Sequence, residues 1–237
     1  EGYYQETGRA GRDGGEGHCL TFYAYKDIEK LEKFLIKKPL SEQEIGKQLL
    51  HEMVSYSESA VCRRKTLLKY FGEEYNESFC NKKCDNCKHP KEKFEGKKFI
   101  VHLLTTMKSL NQKHKFHAKY LTNFLTGIRS AKIIEYEGDK NQRFGLGLSK
   151  DEKFWDAVIR QCIVNGLIDK DVDTYGTLKC SEKGINYLKN PHSYPLTQNH
   201  DYDQLASHLN STSDKQTGFD ETLVKILKDL RKQVAQE

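Results

Sequence analysis

Apolar residues recur at helical spacing along the first part of the chain, and they predict two amphipathic helices. One stripe lies between residues 45 and 54, and a second lies between residues 67 and 71 and stops at Gly72. The two stripes consist of Ile45, Leu49, Leu50, Met53 and Val54, and of Leu67, Leu68 and Phe71. Together they predict a helical platform.

Three more amphipathic stretches follow residue 97. They run through residues 99–107, 120–125 and 154–163, and the second ends near Gly127. Residues 167–172 and 177–180 then flank the turn-rich segment 173–176, which predicts a β-hairpin. Three helices followed by a hairpin indicate a winged helix.

The third of these helices has the clearest boundaries. A Ser149-x-x-Glu152 capping box is expected to begin it, and Asn165-Gly166 is expected to end it. Trp155 lies on its apolar face, so we expect this side chain in the core and not on a stacking surface.

The end of the chain shows little apolar periodicity until its last residues. Residues 190–220 contain two prolines and many Ser, Thr, Asn, Gln and Asp residues, which predicts a linker. Helical spacing resumes over residues 219–237, so either a helical domain begins there or the chain carries an amphipathic tail.

Composition is typical of a soluble globular protein. The 237 residues are 36% hydrophobic and 31% charged, with no apolar run of the roughly 18 residues that a membrane span needs. We find no signal peptide and expect an intracellular protein with no membrane partner. Residues 91–150 carry thirteen Lys or Arg against five Asp or Glu within a chain of net charge +5. Such a basic region suits a phosphate-backbone binder, although surface charge runs are also common.

Four of the seven cysteines form the frame C-x17-C-x3-C-x2-C. Four thiolates at short spacing indicate a closed tetrahedral zinc site. Disulfides and an iron–sulfur cluster are the alternatives that spacing leaves open. The frame consists of Cys62, Cys80, Cys84 and Cys87, whereas Cys19, Cys162 and Cys180 are expected to be small core residues.

A glycine-rich segment near the amino terminus carries two arginines. Residues 3–14 resemble the sixth motif, Gln-x-x-Gly-Arg-x-Gly-Arg, of superfamily-2 ATP-driven motors, with the alternative of a basic turn that has no catalytic role. Glycines let such a loop approach a triphosphate closely. The chain has no Gly-x-x-x-x-Gly-Lys-Ser/Thr loop and no downstream acidic box, so we expect these 237 residues alone not to hydrolyse ATP.

The combination of three motifs resembles the RecQ family of DNA helicases, and its opening is most similar to the eukaryotic Bloom-type branch. The motifs are the glycine-rich segment, the run Cys-Arg-Arg-x-x-Leu-Leu-x-Tyr-Phe-Gly from Cys62, and Cys-x3-Cys-Asp-Asn-Cys from Cys80. The resemblance implies a nuclear 3′-to-5′ DNA helicase of recombination and repair that uses ATP and Mg²⁺. It also implies that Gln5, Arg9 and Arg12 sense the nucleotide, with Arg12 as the arginine finger.

Several basic and aromatic residues are candidates for contact with forked or duplex DNA. Ser130 precedes a short apolar run, so its hydroxyl and neighbouring amides are expected to hold a phosphate. A solvated basic loop is the alternative. Tyr175 at the predicted wing tip is expected either to stack on a terminal base pair or to pack on its own hairpin. The complete candidate set is Arg129, Ser130, Lys132, Lys119, Arg143 and Tyr175.

The predicted fold is mainly α with α+β parts. We expect the end of a RecA-like motor lobe at 1–38, a helical zinc-binding subdomain at 39–92 and a winged helix at 93–192, then a linker at 193–218 and a helical region at 219–237. A non-enzymatic zinc module that docks on DNA or on repair proteins is the alternative function.

Overall fold

Helices make up most of the structure, and its described strands form two small antiparallel sheets. This confirms the predicted mainly α fold with α+β parts. Contacts divide the chain into a compact unit, residues 1–200, and a second unit, residues 201–237. The computed structural model describes residues 2–110, 114, 116–171, 174 and 176–202.

The first part of the compact unit is a set of helices that includes both predicted stripes. Helices α2 and α4 each pack on α3. The stripe at residues 45–54 lies within α3, but its Leu49 is 52% exposed, because the neighbouring helices cover other sides of α3. The helices are α1 (Gly2–Thr7), α2 (Tyr25–Leu35), α3 (Leu40–Glu58) and α4 (Arg63–Tyr70).

Two short helical turns follow the platform. Helix α4 ends at the predicted position, where Gly72 adopts a left-handed φ of 84° that favours glycine. A 3₁₀ turn, Glu77–Cys80, and the short helix α5, Asp85–Lys88, come next. Both turns contain or adjoin members of the cysteine frame.

The basic part of the chain folds as three principal helices and a hairpin, as predicted. Its principal helices are α6, α7 and α9, whose apolar faces share one core with the hairpin. In the hairpin, Ile168 lies opposite Cys180 and Asp171 lies opposite Thr177. The elements are β1 (Lys93–Glu95), α6 (Lys97–Ser109), α7 (Ala118–Thr126), α8 (Ala131–Glu135), a 3₁₀ turn (Gly138–Lys140), α9 (Glu152–Val164), β2 (Ile168–Asp171) and β3 (Thr177–Cys180).

The predicted capping box of α9 is wrong in its position. Asp151, not Ser149, caps the helix, and its Oδ1 accepts a hydrogen bond from Phe154 N at 2.8 Å. Aspartate directly before the first helical residue is itself a strong cap, so the helix begins two residues later than Ser149 indicates. The predicted stop is confirmed by Gly166 at φ 71°, and Trp155 is buried as expected, at 2% exposure.

The ordered structure continues past residue 193, where the sequence predicts a linker. Strand β4, Pro195–Thr197, pairs with β1, and its Leu196 is fully buried opposite Phe94. The side chain of Gln161 on α9 both donates to and accepts from the backbone of Thr197, at 2.8 Å each. Three residues are too few to show strand alternation in a sequence. The predicted helical region, 219–237, lies outside the described residues.

Helix α10, Glu182–Lys189, packs very closely on the chain before β2, at a glycine. A Cβ atom at Gly184 would lie 2.1 Å from the backbone oxygen of Leu167, which a side-chain rotation does not relieve. Replacing Gly184 with alanine is therefore expected to lower the free energy of unfolding by about 3 kcal/mol.

Chemical denaturation of the Gly184→Ala variant measures this loss. The matched control is Asn186→Ala on the exposed side of the same helix, where we expect a change within about 0.5 kcal/mol. Equal stability of the two variants would contradict the close packing of α10.

Candidate metal centre and nucleic-acid interface

The four cysteines of the frame come together at one point of the platform. Their sulfur atoms all lie within 4.8 Å of one another, and the Sγ atoms of Cys62 and Cys84 are 4.0 Å apart. Four sulfurs at about 2.3 Å from one zinc ion are about 3.8 Å apart in a tetrahedron. The donor set and its size therefore fit a tetrahedral thiophilic ion after a small closure. The set is Cys62, Cys80, Cys84 and Cys87.

Local backbone geometry brings the last three cysteines together. Asn81 and Lys82 both have positive φ, 48° and 56°, which turns the chain sharply after Cys80. Cys84 then caps α5, because its Sγ accepts a hydrogen bond from Cys87 N at 3.4 Å. A short turn and a one-turn helix thus place three sulfurs on one side of the chain.

An ion pair links the segment that carries Cys62 to the segment that carries the other three cysteines. Arg63 follows Cys62 and Asp85 follows Cys84, and their side chains meet through Nε to Oδ1 at 3.0 Å and Nη2 to Oδ2 at 2.9 Å. Burial tends to raise the pKa of Asp85, but the hydrogen bonds and charge of Arg63 outweigh it and lower that pKa. This bidentate pair helps hold Cys62 beside the other three cysteines.

A buried amide supplies a second link. The side chain of Asn86 is buried and donates to the backbone oxygens of Ser59 and Val61 at 2.7 Å each. The Nε2 of His200 lies 2.7 Å from the amide oxygen of Asn86. No spacing pattern reveals this role, because these partners come from distant parts of the chain.

Burial affects the protonation of the cluster. It is the main cause that raises the pKa of the Cys62 thiol to about 11. A bound divalent cation favours the thiolate form, so metal binding at this cluster releases protons.

The three remaining cysteines are placed differently from one another. Cys162 is fully buried and Cys180 is half-buried beside the same core, as expected. Cys19 is exposed, so its prediction as a core residue is wrong. It lies in a segment without helix or strand, where its apolar neighbours Leu20 and Phe22 are also exposed.

The arginines of the glycine-rich segment are accessible to a nucleotide. Gln5 lies on α1, and Arg9 and Arg12 follow it in the turn after that helix; all three are exposed. Arg9 pairs with Glu6 at 3.2 Å, whereas Arg12 makes no ion pair with any described residue. Gly11 has a φ of 76°, a left-handed conformation that favours glycine, and the chain turns there.

The predicted phosphate segment forms the start of α8. Ser130 caps this helix, and its hydroxyl oxygen accepts from Ile133 N at 3.4 Å, which leaves the hydroxyl proton for donation to a phosphate. Arg129 is exposed and lies 3.6 Å from Asp139, and Lys132 lies 3.3 Å from Glu44 of α3. The structure therefore groups Arg129, Ser130 and Lys132, with each cation next to an acidic side chain.

The other candidates for DNA contact are dispersed. Lys119, at the start of α7, pairs with Glu152 of α9. Arg143 is half-buried in the loop before α9, near enough to His102 to help lower the pKa of that imidazole, although burial is the larger cause. Tyr175 lies outside the described residues.

The wing packs on the platform helix α3. Lys170 of β2 bonds to Glu52, and its Nζ lies 5.7 Å from the centre of the Tyr70 ring. Gly176, the residue before β3, lies directly against α3: a Cβ atom there would lie 2.0 Å from the side-chain nitrogen Nε2 of Gln48. The platform that carries the four cysteines and the winged helix therefore share a direct interface.

A buried arginine extends this interface. Arg160 of α9 is 7% exposed, and its Nη2 lies 3.9 Å from Oε2 of Glu58. The other carboxylate oxygen, Oε1, accepts from the Tyr23 hydroxyl at 2.9 Å. Burial lowers the pKa of Arg160 and the charge of Glu58 opposes that change. Truncating one partner of a buried pair is costly, so this contact helps fix α9 on α3.

Two family matches cover most of the chain. The RecQ zinc-binding family matches residues 25–88, which contain the four clustered cysteines, and the RQC domain matches residues 90–204, which contain the winged helix.

Among the described residues, no helix is both long and apolar enough to cross a membrane.

Named relatives include bacterial and eukaryotic helicases. The ATP-dependent DNA helicase RecQ of Haemophilus influenzae is 34% identical over 99% of this chain and 38% of its own length. The ATP-dependent helicase SGS1 of Saccharomyces cerevisiae is 34% identical over 63% of this chain and 11% of its own length. The RecQ-like DNA helicase BLM of Xenopus laevis is 31% identical over 80% of this chain and 15% of its own length.

The chain thus spans well under half the length of these relatives. Both family matches agree with the geometry, because a four-cysteine cluster on a helical platform is followed directly by a winged helix. The chain belongs to the RecQ family, of which it carries the zinc-binding and RQC regions.

Proposed function

We propose that this chain is the zinc-binding and DNA-binding part of an ATP-dependent 3′-to-5′ DNA helicase of RecQ type. The observation that carries the proposal is the winged helix docked on a platform that holds four clustered cysteines. The names of the relatives, which are ATP-dependent DNA helicases, support the same activity. By this proposal the protein acts in the nucleus, in recombination and repair.

Zinc is the proposed ion at the four cysteines. Four sulfur donors close a tetrahedral site and leave no position open for water or substrate, so the ion stabilises the fold and takes no part in chemistry. ATP and Mg²⁺ belong to the motor, where Gln5, Arg9 and Arg12 sense the nucleotide. An arginine that reaches the transferring phosphoryl group stabilises its developing charge.

Forked or duplex DNA is the proposed partner of the winged helix. Arg129, Ser130 and Lys132 hold phosphates at the start of α8, aided by Lys119 and Arg143, and Tyr175 separates the strands at the wing. DNA phosphates must compete with Asp139 and Glu44 for the nearest cations. These surface ion pairs are weak, so phosphates displace the carboxylates at small cost.

The domain organisation follows from the same proposal. We assign residues 1–38 to the end of a motor lobe and residues 39–92 to the zinc-binding subdomain. The winged-helix region begins at residue 93 and includes β4. The rest of the predicted linker and the predicted helical region at 219–237 stay predictions, because residues 203–237 lie outside the described residues.

Zinc content and DNA affinity of the purified chain test the proposal together. We expect one zinc per chain by mass spectrometry and, by fluorescence anisotropy, binding to forked DNA that weakens steeply with salt. Six phosphate contacts would lower the affinity about a thousandfold between about 50 and 200 mM salt. A flat salt response, or zinc without DNA affinity, would instead favour a docking module for proteins of recombination and repair.

A further inference from the structure

Three phenylalanine rings and two lysines form a compact surface beside the first helix of the winged helix. The ring centres of Phe99 and Phe154 are 4.7 Å apart, and that of Phe94 lies 6.1 Å and 5.6 Å from them. The Nζ of Lys98 is 4.8 Å from the centre of the Phe99 ring, and the Nζ of Lys150 is 5.0 Å from that of Phe154. Each ammonium group thus lies next to one ring of a contacting pair.

These two lysines differ from three of the other candidate cations for DNA contact. Arg129, Lys132 and Lys119 each lie next to a carboxylate. Neither Lys98 nor Lys150 makes an ion pair with any described residue, and both are exposed. The rings position the two charges without neutralising them.

Acidic residues near the two lysines in sequence are mostly engaged elsewhere. The Glu95 carboxylate accepts from the backbone nitrogens of Lys97 at 2.7 Å and Tyr194 at 3.0 Å. Asp151 caps α9 and Glu152 pairs with Lys119. Hydrogen bonds to backbone nitrogens leave Glu95 and Asp151 charged, but they fix both carboxylates in positions where neither forms an ion pair with Lys98 or Lys150.

The loop that carries Lys150 is held against the helix that leads to the proposed phosphate segment. The loop before α9 is hydrogen-bonded to the end of α7, through Gly145 N to Phe124 O at 2.9 Å and Gly147 N to Leu125 O at 2.8 Å. That loop carries Lys150, and the end of α7 leads directly into residues 128–132. A phosphate backbone held at α8 can therefore extend along this loop.

We propose that Lys98 and Lys150 form a second contact for the phosphodiester backbone of DNA, next to the start of α8. The inference rests on the proposed DNA-binding function and adds a surface to it. The lysines contact phosphates and read no sequence. The rings beneath the two lysines restrict their side chains, so less side-chain entropy is lost when DNA binds.

The test measures affinity for forked DNA against salt concentration, by fluorescence anisotropy, with the double variant Lys98→Gln/Lys150→Gln. Each phosphate contact contributes about 0.9 to the slope of log affinity against log salt. Loss of two contacts should lower that slope by about 1.8, so the wild-type chain loses about twelvefold more affinity than the variant between about 50 and 200 mM salt.

The control variant is Lys33→Gln/Lys37→Gln, which removes the same charge from two exposed positions, on α2 and just after it, that make no ion pair with a described residue. We expect its slope to match the wild type, and we expect Lys98→Arg/Lys150→Arg to retain it. Equal slopes for the double variant and the control would overturn this surface while the proposed function stands. Absence of salt-dependent binding by the wild-type chain would overturn both.

Discussion

Replacing Cys84 with serine is expected to abolish stable metal binding and to destabilise the platform. The hydroxyl of serine can still cap α5 as the sulfur does, but it cannot replace a thiolate in a soft donor set. Structural zinc supplies about 10 to 16 kcal/mol of apparent binding free energy in small domains. We expect at least about 3 kcal/mol of it to appear as lost stability, which lowers Tm by roughly 6 to 12 °C.

Metal content by mass spectrometry and thermal melting measure the two effects together. The matched control is Cys19→Ser, because Cys19 is exposed and distant in sequence from the cluster. Its zinc content and Tm should equal those of the wild type. Full zinc occupancy in the Cys84→Ser variant, with an unchanged Tm, would refute the assignment of Cys84 as a ligand.

Replacing Arg12 with alanine is expected to abolish ATP hydrolysis in a RecQ protein that joins this chain to a complete ATP-binding motor. Arginine fingers raise turnover by about 10³ to 10⁵, so kcat should fall by at least about a thousandfold. The resemblance to the sixth motif of superfamily-2 motors makes Arg12 the better candidate for this role. DNA affinity should stay within about threefold of wild type, since Arg12 is separate from the winged helix.

Two further variants sharpen this test. Arg12→Lys keeps the charge but loses the planar fork, so we expect turnover between those of the alanine variant and the wild type. Arg9→Ala should have a smaller effect than Arg12→Ala. Turnover of the Arg12→Ala variant within about twofold of wild type would exclude Arg12 as the finger.

Local chemistry explains why much of the fold could be predicted. Three helices end at a glycine with positive φ, a backbone conformation that glycine adopts much more readily than any other residue. These glycines are Gly72, Gly127 and Gly166. The short spacings from Cys80 to Cys87 require only a turn and one helical turn to bring three sulfurs together. The apolar face of α9 likewise predicts the burial of Trp155.

The errors occur where local signals compete or are too short. Ser149 and Asp151 are both good capping residues, and only the geometry of the preceding loop decides between them. Strand β4 has three residues, and its partner β1 lies about a hundred positions earlier in the chain. Cys19 has apolar neighbours in sequence, but no described element covers that segment.

The sequence by itself therefore determined the cysteine frame, the C-terminal ends of three helices, the order of the three principal helices and the hairpin, and the family. Only the tertiary structure decided which charges meet. Lys170 pairs with Glu52 across 118 positions, Lys132 approaches Glu44, and Lys98 and Lys150 come to rest on neighbouring rings. The reason is physical: periodicity and backbone preference act within one element, whereas the partner of a charged side chain depends on how separate elements pack.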